Sequence, residues 1–187
     1  MDQRRLVEQA QQGDHDAFAM LAGAAIARLD AAARLILRDP ELARDAVQDG
    51  LVRAWRDLRS LRDPDRFDAW VYRLTVNACL DITRHRRRRA IEVEITPIDG
   101  PETGDIASLI ADRDLLDQAL KRLDPEWRAL VVLHYYLGMP LPEAANVLGI
   151  PLGTAKSRLH RSLSAMRIAM TIDDTTVSTP VAGGQYA

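Results

Sequence analysis

The sequence predicts an all-α protein of two small helical domains joined by an acidic linker. Three observations carry that expectation. Alanine-rich stretches with few β-branched runs favour helix over strand. Apolar residues recur at helical spacing through most of the chain. One segment, 91–110, interrupts the pattern with Pro97, Gly100, Pro101 and Gly104 among five carboxylates and no Lys or Arg. The formal net charge of −2 hides this partition. Residues 1–90 hold 17 arginines against 14 carboxylates, and residues 111–170 hold 8 basic against 6 acidic side chains. The expected order is a domain over 1–90, a linker over 91–110, a domain over 111–170, and a disordered tail over 171–187 without apolar periodicity.

In the first domain, helical patterns run over 2–12, 14–38, 40–58 and 65–86. Asp14 and Asp39 suit N-caps, and Pro40 suits a first helical turn. Within 40–58, Val47, Leu51, Ala54, Trp55 and Leu58 share an apolar face. Asp45, Gln48, Asp49 and Arg56 share another, with Val52 exposed among them. That face is either an ordinary solvated one or a protein contact with an apolar centre. Gly50 in mid-helix costs about 1 kcal/mol relative to Ala, which points either to close packing or to local tolerance.

Within 65–86, Phe67, Val71, Leu74, Ala78 and Ile82 form a core stripe. Trp70, Arg73, Asn77 and Arg84 line a flank beside it. The chain then enters 84–89, five arginines in six residues, a composition that suits phosphate. An aromatic, an amide and guanidiniums along one ridge suit unpaired nucleic acid. The ring stacks, the amide reads a base edge and the arginines hold the backbone. Trp70 fits equally a core aromatic at the edge of its stripe.

The second domain is expected to open with a helix over about 112–123 and another from Asp124-Pro125 to about 137, before Gly138 and Pro140 break the chain. The stretch 141–166, LPEAANVLGIPLGTAKSRLHRSLSAM, then reads as a helix, a tight turn at Gly149 and a second helix. This is the pattern of a helix-turn-helix, whose second helix enters the DNA major groove. Ala155, Leu159, Leu163 and Met166 give its apolar stripe. Lys156, Ser157, His160, Arg161 and Ser164 fall opposite, and every one can hydrogen-bond. Arg can fork onto guanine, and Ser or His can reach several base edges. Thr154, near the helix start, suits a phosphate. The rival reading of this face is the solvated side of a bundle helix.

Other classes find little support. Cys79 is the one cysteine and sits in an apolar helical stretch, so a core role is expected. The four histidines show no metal-ligand spacing, and no carboxylate pair, Ser/His/Asp or Cys/His arrangement rises above chance. No catalytic residues, metal or cofactor are therefore expected. Nor is a signal peptide or a membrane-inserted segment, and the expected location is the cytoplasm. An autonomous helix-turn-helix regulator would bind a palindrome as a dimer, and would leave the Trp70–Asn77 ridge unexplained. An adaptor would leave the Lys156–Arg161 face idle.

DAVQDGLVRAW from Asp45, FDAWVYRLTVNACLDITRHRRRR from Phe67 and LDPEWRALVVLHYYLGMPLPEAANVLGIPLGTAKSRLHRSL from Leu123 together resemble the extracytoplasmic-function (group IV) bacterial sigma factors. The resemblance implies that the first domain is sigma region 2 and the second sigma region 4, with core RNA polymerase and promoter DNA as partners. It implies that Asp45, Gln48, Asp49 and Arg53 dock on the β′ clamp helices, and that region 4 meets the β flap. It implies a loop over 60–69 that captures a flipped base of the minus-ten element, with Leu61, Arg62 and Asp63 in it. Trp70, Arg73, Asn77, Arg84, Arg86 and Arg87 would border the melted strand. Lys156, Ser157, His160 and Arg161 would read the minus-thirty-five element, with Thr154 and Arg158 on phosphates. An anti-sigma factor is a further implied partner. Leu51 stands where the family often has an aromatic, Gly50 is unusual at its place, and some members use a Phe near Leu61.

Overall fold

The computed structural model describes residues 2–92 and 109–177, and most of the linker segment lies outside them. Among the described residues there are helices and no strands. The helices are α1 (Gln3–Gln11), α2 (His15–Leu37), α3 (Pro40–Asp57), α4 (Phe67–Glu92), α5 (Leu109–Lys121), α6 (Pro125–Val131), α7 (Leu141–Val147) and α8 (Leu152–Val177). Aspartates start four of them. The carboxylates of Asp2, Asp14, Asp39 and Asp124 accept backbone N–H groups of the turn that follows, with Pro40 and Pro125 just inside.

Four boundaries differ from expectation. Helix α4 starts at Phe67, because Asp63 caps a separate 3-10 turn over Pro64–Arg66. Its helical backbone carries through the arginine run to Glu92. The helix expected to reach about 137 widens after α6 into a π-turn over Val132–Tyr136, where the Leu137 N–H reaches the Val132 carbonyl at 3.0 Å. Finally, α8 continues to Val177, inside the segment expected to be a disordered tail. Beyond Gly153, no Gly or Pro occurs before Pro180.

Helices α1–α4 share one core and α5–α8 extend it. Leu21, Leu29 and Ile36 of α2, Val47 of α3, and Phe67, Val71 and Val76 of α4 are buried together. Helix α3 buries mostly small residues, Ala43, Ala46, Gly50 and Ala54. Leu51 and Trp55, expected in the core face, are only half-buried. The reason is the approach of α4. A Cβ built on Gly50 would lie 2.5 Å from Thr75 Oγ1 and 3.0 Å from its Cα, so only glycine lets the helices come this close. Thr75 Oγ1 is itself buried without a hydrogen-bond partner.

The turn between α7 and α8 is built as the sequence suggested. Gly149 adopts φ +65°. Its N–H donates to Asn146 at 3.2 Å and that of Ile150 to Ala145 at 3.0 Å. These two bonds cap α7 in the Schellman arrangement and set the corner from which α8 departs.

Helix α6 lies against α2 and α4, so the two expected domains are packed together. Arg128 is central to this contact and is 7% exposed. Its Nε donates to the Leu120 carbonyl at 2.9 Å and Nη2 to Leu123 at 2.9 Å, while Nη1 crosses to Ile36 at 2.7 Å. One guanidinium thus satisfies the carboxyl ends of α5 and α2 at once. Burial pushes its pKa down to about 10, and nearby Arg38 adds to the effect. It stays charged at neutral pH. Arg38, in the left-handed region at φ +58°, ends α2 and pairs with the Asp117 carboxylate of α5.

Candidate functional site

The outer face of α8 is open. Lys156, Ser157, His160 and Arg161 are exposed, while Ala155, Leu159 and Met166 are buried and Leu163 is half-buried. Face and stripe fall as the periodicity predicts. Ser162 is buried as well, its hydroxyl donating to the Arg158 carbonyl at 2.8 Å. Ser157 donates to the Thr154 carbonyl at 3.0 Å. Thr154 and Ser164 are half-buried. Arg158 is half-buried too and reaches Glu126 of α6 at 3.2 Å. Lys156 and Arg161 bring fixed positive charge to this face and Ser157 and His160 bring further hydrogen-bonding groups, a set suited to base edges and phosphates.

The ridge on α4 is presented differently. Arg73 and Arg84 are exposed and Asn77 is half-buried, but Trp70 is only 8% exposed. Its ring packs beside Phe67, centroids 6.3 Å apart. The core-edge alternative for Trp70 therefore describes this arrangement. A crevice of about 540 Å³ separates Trp70, Arg73 and Arg66 from Pro140, Pro142, Glu143 and Asn146 of the second domain. Arg84 lies 3.6 Å from Glu126 and Arg86 3.6 Å from Asp39. Arg87 is exposed at the mouth of a neighbouring crevice beside Pro125 and Trp127.

The loop before α4 is fastened from a distance. Gln11 of α1 donates to the carbonyls of Leu58 at 3.1 Å and Leu61 at 2.8 Å. Arg4 pairs with the Asp65 carboxylate and lies 3.9 Å from Asp63. Arg62 and Asp63 are exposed, whereas the Leu61 side chain is 8% exposed and belongs to the core. Leu61 thus does not present its side chain to a base here, because the loop carbonyls bound by Gln11 turn it inward. Nothing in the spacing of Arg4 or Gln11 signals this role, since their partners lie 61 and 47–50 residues away.

On α3, Asp45 and Gln48 are exposed and Asp49 and Arg53 half-buried. Arg53 pairs with Asp49 at 2.6 Å and reaches Asp81 of α4 at 3.6 Å, so it ties two helices together. Gln48 borders an open groove of about 640 Å³ between α2 and α3, walled by Phe18, Ile26, Leu51, Val52 and Trp55. Val52 is 58% exposed and Ile26 47%. Trp55 is held against Phe18 and His15, centroids 5.0 and 4.5 Å apart. An apolar groove rimmed by charge is the form expected of a protein contact. Helical spacing marks Gln48 and Val52 on α3, whereas Phe18 and Ile26 belong to α2 and share no local pattern with them.

No cluster of potential metal ligands occurs among the described residues. No helix there is long and apolar enough to cross a membrane. Cys79 is buried, and desolvation pushes its thiol up to about 12, which makes it a core side chain and a poor nucleophile.

Comparison with known proteins bears on both domains. Residues 24–89 match the family described as Sigma-70 region 2, and residues 113–166 match Sigma-70, region 4. The chain is 35% identical over 135 residues to the RNA polymerase sigma-E factor of Streptomyces coelicolor, spanning 72% of this chain and 75% of that protein. It is 35% identical over 135 residues to the ECF RNA polymerase sigma factor SigL of Mycobacterium tuberculosis, spanning 71% and 76%. The solved structure of CnrH in complex with the cytosolic domain of CnrY is similar at TM-score 0.65 and 31% identity, covering 91% of this chain and 98% of that one.

Proposed function

Because the chain belongs to the sigma-70 family, among its extracytoplasmic-function members, we propose that α3 docks it on core RNA polymerase while α4 and α8 read the two halves of a promoter. The protein is a sigma factor. It binds core RNA polymerase and directs promoter-specific initiation of transcription. The observation that carries the residue assignment is the α8 face, where Lys156, Ser157, His160 and Arg161 stand exposed beyond a capped turn.

The parts work in sequence. The α2–α3 groove, with Asp45, Gln48, Asp49 and Arg53 along its helix, takes the β′ clamp helices, and the second domain meets the β flap. Once docked, the two DNA-reading elements are held at fixed separation, so the second contact becomes intramolecular. Helix α8 enters the major groove of the minus-thirty-five element, with Thr154 and Arg158 on phosphates. At the minus-ten element, Arg62, Asp63, Trp70, Arg73, Asn77, Arg84, Arg86 and Arg87 border the melted strand. Unstacking a base costs a few kcal/mol, and stacking and phosphate contacts on α4 offset part of that. The protein acts in the cytoplasm as a non-catalytic subunit. The likeness to CnrH, solved with the cytosolic domain of CnrY, supports a protein inhibitor as a third partner.

The test is transcription from a randomised promoter library by core polymerase with and without the purified protein. Defined starts downstream of a two-part, non-palindromic motif, absent without the protein, are expected. A palindromic duplex bound by the protein alone, with no polymerase dependence, would replace this reading with a dimeric regulator.

A further inference from the structure

The arginines assigned to DNA are not all offered to it. Glu126, at the start of α6, stands between the two DNA-reading helices. Its Oε1 lies 3.6 Å from Nη2 of Arg84 on α4, whose Nη1 is 3.4 Å from Asp81 of its own helix, and its Oε2 lies 3.2 Å from Arg158 of α8. One carboxylate thus gives an oxygen to each of two guanidiniums, as a bridging phosphate would. A second carboxylate repeats the pattern more loosely. Glu143 of α7 lies 3.9 Å from Arg66, across the crevice that contains Trp70 and Arg73. Both acids come from the second domain. Two of the arginines they meet, Arg84 and Arg66, belong to the first. The backbone framework that sets this spacing is Arg128 on the Ile36 carbonyl and Arg38 on Asp117.

We propose that Glu126 is an internal competitor for promoter phosphate, joining Arg84 and Arg158 in the closed chain, and that separation of the domains on the polymerase carries Arg84 out of its reach and leaves Arg158 on a single partly exposed pair that phosphate can displace. The proposal rests on the reading of α4 and α8 as DNA-binding helices. Exposed ion pairs are individually weak and screened by salt, so Glu126 biases the closed state without locking it. A phosphate backbone presents many charges and displaces one carboxylate only when both arginines can reach it. In the closed chain the same carboxylate joins them. Free protein therefore binds DNA less well than its arginine content implies, and part of the penalty resides in this one side chain.

The experiment uses the full chain without polymerase and a fluorescent duplex of scrambled sequence, followed by anisotropy at low and moderate salt. Glu126→Gln keeps shape and removes the charge. Glu41→Gln, whose carboxylate pairs only locally with Arg44 at 2.7 Å, measures the general gain from losing any negative charge. Glu126→Gln is expected to tighten binding at least threefold beyond Glu41→Gln, with a steeper salt dependence as more phosphates are engaged. Tightening no greater than that of Glu41→Gln overturns the proposal. Scrambled DNA reports on phosphate competition alone, whereas the promoter library with polymerase reports on sequence reading. Failure of one is therefore visible separately from failure of the other.

Discussion

Helices α4 and α8 both carry arginine-bearing faces, yet they present them in opposite ways. The face of α8 is open, with Lys156, His160 and Arg161 exposed. The ridge of α4 is half closed. Trp70 is 8% exposed, Arg84 faces Glu126, and α7 stands across the crevice from Arg73. The difference teaches that the two halves of promoter reading have unequal readiness. On the proposed function, the base-reading side chains of α8 are already exposed, and only Arg158 has to leave Glu126 to meet a phosphate. On the same proposal, capture of melted DNA by α4 needs the second domain to move away from the crevice beside Trp70 and Arg73. Such an order suits a protein whose melting activity is useful only on the polymerase.

Substitutions can break or sharpen this contrast. The largest effect is expected from Arg128→Met. It leaves the carbonyls of Leu120, Leu123 and Ile36 without their buried donor and is expected to cost about 3 kcal/mol. Urea unfolding should show the loss. Limited proteolysis should show the ridge of α4 becoming as accessible as the face of α8. Gly50→Ala attacks the other side of α4. The added methyl meets Thr75, and overpacking of this kind costs about 1–3 kcal/mol, which a lowered melting temperature would register while the fold of α7–α8 stays intact.

Arg38→Ala is a milder way to loosen the domains. Arginine and alanine share the same penalty in the left-handed region, so the change isolates the pair with Asp117. The Asp117 carboxylate is half exposed, so about 1 kcal/mol or less is expected. Dyes on the two domains should report a lower transfer efficiency even where stability hardly changes. The smallest effect runs the other way. Thr75→Val removes a buried hydroxyl without a partner and is expected to stabilise by a few tenths to about 1 kcal/mol, read as a raised urea midpoint.

The open face was legible in the sequence and the closed one was not, for a physical reason. Helical spacing alone separates Lys156, His160 and Arg161 from Ala155, Leu159 and Met166, and Gly149 announces the turn by its chirality requirement. Closure depends on contacts far apart in the chain, such as Arg128 with Ile36 and Glu126 with Arg84. Neither leaves a local trace. On α3 the apolar stripe holds at Val47, Ala54 and Leu58 but not at Leu51 and Trp55, because periodicity weighs large apolar residues. Here alanines and Gly50 do the packing against α4, and Leu51 and Trp55 are left to wall the groove. Resemblance alone places Leu61 in a capture loop, while the bonds from Gln11 that turn it inward span 47 and 50 residues.

The most direct test of the account pairs Lys156→Ala with Arg161→Ala in one chain and repeats the promoter-library transcription with core polymerase. Wild-type affinity for the polymerase and an unchanged downstream half of the motif are expected, together with loss of preference at the upstream half, each lost base contact being worth about 1–3 kcal/mol. An upstream preference identical to that of the unaltered protein would contradict the assignment of α8 as the helix that reads it.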